Sequence, residues 1–324
     1  MPPILIQRLL NRPGDEPTMT YQLQPDESFS EGIRRIILAE LDQAHRYLTE
    51  RPSDLSADDA IHEARKSFKK LRAALRLVRN DIGEATFRQE NAVIRDAGRL
   101  LSDLRDSYVL VETVDRLKEQ YADQLRPEAL ADVRQQLFTR YAQVRADMLA
   151  DEARLAQVVA LLAEARPRLA NLPISSNGPS AWRGGLRRVY RRGRRRMALA
   201  YREPTSERFH DWRKRVKYFW YHLLILQPIW EAAGDRHNKG QWAEQVSLLA
   251  DYLGLEHDLA VLAEVVLYEK IAPETAERAL LLALIAHERG RLQAAARPLG
   301  EEIYADKPAK LVKQMVGFWH FNKQ

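Results

Sequence analysis

The stretch HEARKSFKKLR, residues 62–72, places a histidine ahead of five lysines and arginines, with apolar residues at intervals of three and four. That interval is the period of one face of an α-helix. Ile61, Ala64, Phe68, Leu71, Leu75 and Val78 form an apolar stripe, while His62, Arg65, Lys66, Lys69, Arg72 and Arg76 line up on another face. A solvated helix gains a few tenths of a kcal/mol from each carboxylate four residues before a lysine. Here no carboxylate occurs between Glu63 and Asp81. A helix that forgoes this local support and keeps its cations crowded predicts a surface that meets a multivalent anion.

The pattern returns as HDWRKRVKYFW, residues 210–220. A shift of 148 positions carries His62, Arg65, Lys66 and Lys69 onto His210, Arg213, Lys214 and Lys217. It also carries the six apolar residues onto Phe209, Trp212, Val216, Phe219, Leu223 and Leu226. A second echo, LLSDLRD ending at Asp106 and YLGLEHD ending at Asp258, follows at a shift of 152, as a short loop insertion would produce. The reading is an all-α fold of two helical bundles, duplicated helical hairpin units related by a pseudo-twofold, with a basic central groove between them. The division predicted is an N-terminal extension over 1–25, a first helical half over 26–170 and a second over 171–324.

Helices are expected over 29–50, 57–80, 87–120, 127–166 with interruptions, 186–201, 206–230, 240–270, 273–292 and 307–318, with one extended piece near 19–23. Cysteine is absent, which excludes disulfides and thiolate metal sites. No run approaches the roughly 18 apolar residues of a membrane span, and the opening MPPILIQRLLNRPGDEP lacks a signal peptide's positive start. A soluble, cytoplasmic protein with no membrane partner is expected. The 51 basic and 45 acidic residues nearly balance. Their distribution does not: residues 182–202, WRGGLRRVYRRGRRRMALAYR, hold nine arginines and no acid. Leu186, Val189, Tyr190, Gly193, Met197 and Tyr201 give this segment an apolar stripe, which predicts a docked helix with Arg187, Arg191, Arg194 and Arg195 on one flank and Arg188, Arg192 and Arg196 beside them.

Arginine forks and lysine point charges suit phosphate oxygens. The stripe after His62 offers neither the stacking aromatics nor the amides by which single-stranded nucleic acids are read, so a phosphate polymer without bases fits it best. A nucleic-acid binder using the same charges is the alternative. A metal-dependent phosphohydrolase is the third reading, and no H-E-x-x-H or comparable ligand set supports a metal.

H-[DE]-x-R-K-x-x-K, occurring twice and each time followed by a leucine-rich helix ending in LRD or LEHD, resembles the CHAD (conserved histidine α-helical) domain. The likeness runs from YQLQPDESFSEGIRRI to KPAKLVKQMVGFW. It implies a non-catalytic module that binds inorganic polyphosphate in a basic groove, with no cofactor, and association with polyphosphate granules. Some relatives carry a CYTH triphosphatase domain beside it; these residues offer no strand signal for one, and none is expected. Transferred onto this chain, the motif assigns phosphate contact to His62, Arg65, Lys66, Lys69, His210, Arg213, Lys214 and Lys217. Periodicity adds Arg72 and Arg76, the following helix adds Arg95 and Arg99, and the arginine-rich helix adds Arg187, Arg188, Arg191 and Arg195. Because Arg72 and Arg76 correspond to Trp220 and Leu224, the groove is expected to be asymmetric. Asp106 and Asp258 are expected to orient or neutralise cations, and His45, His222, His237, His287 and His320 to be structural or merely exposed.

Overall fold

The computed structural model describes residues 19–50, 52, 55–232, 236–268, 271 and 275–321. Residues 1–18 of the predicted extension lie outside that range, as does the exposure of His237. Twelve α-helices and no strand are present among the described residues. In the first part of the chain these are α1 (Phe29–Thr49), α2 (Ala57–Leu77), the single turn α3 (Arg79–Ile82), α4 (Glu84–Leu100), α5 (Ser102–Gln120), α6 (Ala131–Ala150) and α7 (Glu152–Ala170). The second part holds α8 (Pro179–Arg202), α9 (Ser206–Ala232), α10 (Arg236–Tyr268), α11 (Ala276–Ile303) and α12 (Pro308–Phe321).

Local chemistry starts these helices where the sequence indicates. Ser28 and Glu31 form a reciprocal capping box at α1, and Ser56 accepts the Asp59 N–H at the start of α2. Thr205 Oγ1 accepts the Arg208 N–H ahead of α9. Helices α1, α2, α4 and α7 pack together, as do α9, α10 and α11. The two groups meet where α2 lies against α9 and where α8 crosses both; α5, paired with α6, touches α10. All twelve residues of the paired apolar stripes are buried, none more than 4% exposed. Repetition in the sequence thus corresponds to one shared core.

The second stripe loses its cations for a physical reason. Every residue from Phe219 to Leu226 is buried, so this stretch of α9 is enclosed on all sides and Trp220 and Leu224 stand where α2 carries Arg72 and Arg76. A charge there would be desolvated without a partner.

Several boundaries differ from expectation: α8 begins at Pro179 rather than 186, α11 runs to Ile303 rather than 292, and the helix expected over 57–80 is broken after Leu77. The helix expected over 87–120 is two helices, broken at Leu101 (φ −104°, ψ 10°). That over 127–166 divides at Asp151, whose side chain caps α7 by accepting the Arg154 N–H. The extended piece at 19–23 is a 3-10 turn over Met19–Tyr21. Its role is to clip the two groups of helices together: Tyr21 Oη donates to Lys70 O at 2.8 Å, and Leu23 N donates to Ile225 O at 3.2 Å.

Helix α8 is docked on its predicted stripe, with Leu186, Val189, Tyr190 and Met197 buried. Two glycines set how closely it lies. A methyl group at Gly185 would strike the Leu77 carbonyl, and one at Gly193 would strike the Tyr304 ring. This approach brings the arginines of α8 to the C-terminal end of α2.

Candidate anion-binding site

Packing α2 on α9 with the apolar stripes inward sets their cationic flanks side by side, and Lys69 stands where they meet. Its side chain reaches solvent. Even so, surrounding protein and the charges of Arg213, Arg65, Lys217 and Arg105 lower its pKa to about 7, with burial the largest cause. Arg65 comes from α2, Arg105 from α5, and Arg213 and Lys217 from α9. The four charges that act most strongly on Lys69 are all cations.

Each neighbour is positioned by its own element. Leu101 stands at the break between α4 and α5, and Arg65 Nη1 donates to its carbonyl oxygen at 2.7 Å. Arg65 also lies 3.3 Å from Asp106, and burial lowers its pKa. Asp258 plays a comparable part toward Arg116 of α5, at 3.3 Å. Arg105 pairs with Glu112 at 3.0 Å and lies over Tyr108. Arg213 holds its Nε buried with no hydrogen-bond partner.

The histidines form a second layer on the α9 side. The rings of His210 and His257 stack with centroids 4.0 Å apart. Burial, with Lys214 and Arg213 nearby, lowers His210 to about 4, and His257 falls to about 3 through burial, His210, Arg213, Lys214 and Lys69. Both are neutral at pH 7, so they offer hydrogen bonds rather than charge. His62, one turn before Arg65 and Lys66, is partly buried.

The remaining expected residues are distributed unevenly. Lys66 is drawn toward carboxylates, with Glu63 at 3.8 Å and the buried Glu40 within its field. Lys214 pairs with Asp211 at 2.7 Å and Lys217 lies 3.7 Å from Asp251, so the α9 stripe is partly neutralised by the protein itself. Asp251 occupies the position of Arg99 in the first half, which is why Lys69 lacks the acid that Lys217 has. Arg95 and Arg99 both pair with Asp96, and Arg99 lines a groove against Arg154, Gln157 and Leu161 of α7. The structure does not bring these two to Lys69.

A further group of cations gathers at the far end of α2. Arg76 lies 4.1 Å from the centroid of Tyr218 on α9, donates to Arg72 O at 2.7 Å, and has its pKa lowered to about 10, chiefly by burial and also by Arg72, Arg215 and Arg79. Arg72 donates to Asn91 at 3.1 Å. Helix α8 turns Arg188 and Arg192 toward this group. Arg188 donates to Asn80 at 3.3 Å, and burial together with Arg79 and Arg192 lowers its pKa; Arg192 is lowered by burial and by Arg215, Arg79 and Arg196. Arg187, Arg191 and Arg195 are exposed on the neighbouring flank. Sequence reading missed Arg79, Arg192, Arg215, Arg105 and His257 as members of the site. The position of Arg105 and His257 at equivalent places in the LLSDLRD and YLGLEHD segments was the available signal for two of them.

No group of three or more metal-ligating side chains occurs among the described residues. The model of the CHAD domain family matches residues 35–267, more than half of the chain. This chain belongs to the CHAD family. The crystal structure of the CHAD domain from the plant Ricinus communis shares its fold with a TM-score of 0.56, at 17% identity over 95% of this chain and 97% of the other. No curated protein matches the sequence. Among the described residues of this CHAD protein, no helix is long and apolar enough to cross a membrane.

Proposed function

We propose that this CHAD protein binds inorganic polyphosphate without catalysing its turnover, in a basic groove between two helical units related by a pseudo-twofold. The observation that carries the reading is the gathering of Arg65, Lys69, Arg105, Arg213 and Lys217 from three helices around an amine whose charged form is disfavoured until an anion arrives. A closely spaced row of phosphates relieves that repulsion and receives charge-assisted hydrogen bonds from the guanidinium groups. The neutral His210 and His257 supply N–H donors beside them. Family membership supports the same ligand, and the cytoplasm, with granules of polyphosphate, is the place we propose for it.

Absence of bases distinguishes this polymer from a nucleic acid. The aromatic residues near the cations are engaged internally, Tyr218 beneath Arg76 and Trp220 beneath Lys217 at 4.5 Å. They are therefore not presented as stacking platforms. Competition tests the reading: at equal phosphate concentration and fixed salt, long-chain polyphosphate is expected to displace labelled single- and double-stranded nucleic acid. Displacement in the opposite sense contradicts it, and release of inorganic phosphate with magnesium or manganese contradicts the non-catalytic part.

A further inference from the structure

The cations of the site fall into two groups rather than one continuous field. The first surrounds Lys69 and draws on α2, α5 and α9 through Arg65, Arg105, Arg213 and Lys217. The second surrounds Arg192 and draws on α3, α8 and α9 through Arg79, Arg188 and Arg215. Helix α9 serves both, because residues two apart on a helix point to different sides: Arg213 and Lys217 reach the first group and Arg215 the second. Arg76 of α2 lies with the second group, beside Arg72, Arg79 and Arg215, and Arg72 is about one turn nearer Lys69. Arg76 is fixed by stacking on Tyr218 and by its bond to the Arg72 carbonyl. From Lys69 to Arg76 the helix rises about 10 Å.

The second group has features of a site and not only of a solvated face. Its charges arrive from different helices, held together by the close approach of α8 that Gly185 permits. Arg215 keeps a buried Nε with no hydrogen-bond partner. Two carboxylates lie near the group among the described residues: Glu84 pairs with Arg79 at 2.6 Å and with Arg88 at 2.7 Å, and Asp211, within the field of Arg215, pairs with Lys214 at 2.7 Å and lies 3.5 Å from Arg196, so the cations of the group still outnumber the acids.

We propose that these are two separate anion subsites on one track, and that a phosphate chain binds with full affinity only when it is long enough to occupy both. The inference rests on the polyphosphate reading of the function and assigns its length selectivity. A triphosphate fills one subsite at a time. A longer chain makes the second contact intramolecular, and the gain comes from effective concentration rather than from a new kind of contact. Arg72 bears on the middle of such a chain.

Calorimetric titration with inorganic tripolyphosphate and with polyphosphate chains of defined length tests this. Wild type is expected to bind two tripolyphosphates per protein but one bridging chain, with affinity rising at least tenfold once the chain spans the track. In Arg188→Gln/Arg192→Gln, tripolyphosphate stoichiometry is expected to fall to one and the gain with length to disappear. In Lys69→Gln/Arg213→Gln, stoichiometry also falls to one, with the remaining molecule on the Arg192 side. Circular dichroism confirms that each variant is folded. A single tripolyphosphate in wild type, or an equal fold-loss for short and long chains in Arg188→Gln/Arg192→Gln, overturns the two-subsite arrangement while leaving polyphosphate binding intact. No binding by any chain length overturns the functional reading itself, and this inference with it.

Discussion

Lys69 couples binding to pH. In the free protein its pKa of about 7 means that roughly half of the molecules carry the charge at pH 7. A bound polyanion stabilises the charged amine, so its pKa rises in the complex and binding takes up a proton. Above pH 7 the charged fraction of the free protein falls, and because the side chain is exposed, solvent screening keeps the loss of affinity below the roughly tenfold per pH unit of a fully enclosed amine. Long chains keep the ligand from contributing, since internal phosphates stay ionised throughout. His210 and His257 do not contribute either, because at about 4 and about 3 they are already neutral. Titration calorimetry at pH 7, 8 and 9, in buffers of different ionisation enthalpy, is expected to show proton uptake on binding and an affinity that falls as pH rises. Lys69→Arg, charged throughout, is expected to bind at pH 9 as it does at pH 7. Affinity in wild type that is level from pH 7 to 9, or a slope that persists unchanged in Lys69→Arg, refutes the assignment to this amine.

Stability carries its own signatures. The His222 ring is fully buried, places Nε2 2.9 Å from Ala73 O, and has its pKa lowered to about 3 by burial. The unfolded chain takes up a proton near pH 6.5 that the folded chain refuses, so stability present above that pH is lost as pH falls toward 3. His222 alone accounts for about 2 kcal/mol between pH 7 and 5, and urea denaturation of His222→Gln is expected to show a correspondingly shallower pH dependence; an identical slope contradicts this. Phe68→Ala is expected to cost about 3–5 kcal/mol by urea denaturation, since Phe68 is only 2% exposed in the shared core. Gly185→Ala is expected to destabilise by about 1–3 kcal/mol through overpacking and to weaken long-chain binding more than tripolyphosphate binding, because α8 must withdraw from the Leu77 carbonyl.

The sequence carried the architecture because burial follows periodicity. Twelve apolar positions at helical spacing, matched by one shift, all lie in the core. The docked arginine-rich helix was legible for the same reason. What the chain did not reveal are features set by where helices end and how they rotate. LLSDLRD contains nothing that breaks a helix, yet the interruption at Leu101 supplies the carbonyl that holds Arg65. Which flank of α8 faces inward depends on Gly185 and Gly193 meeting Leu77 and Tyr304, contacts between segments far apart in sequence. Distant partners likewise decide which cations stay available. Asp211 and Asp251 neutralise part of the α9 stripe, and Asp96 takes up Arg95 and Arg99. Lys69, by contrast, is left with cations around it.

A crystal structure with a polyphosphate chain bound addresses the central claim most directly. The account predicts phosphate oxygens within hydrogen-bond distance of Lys69, Arg65 and Arg213, with the chain running past Arg76. Phosphates ordered elsewhere on the protein, with Lys69 still surrounded only by its own cations, would contradict it.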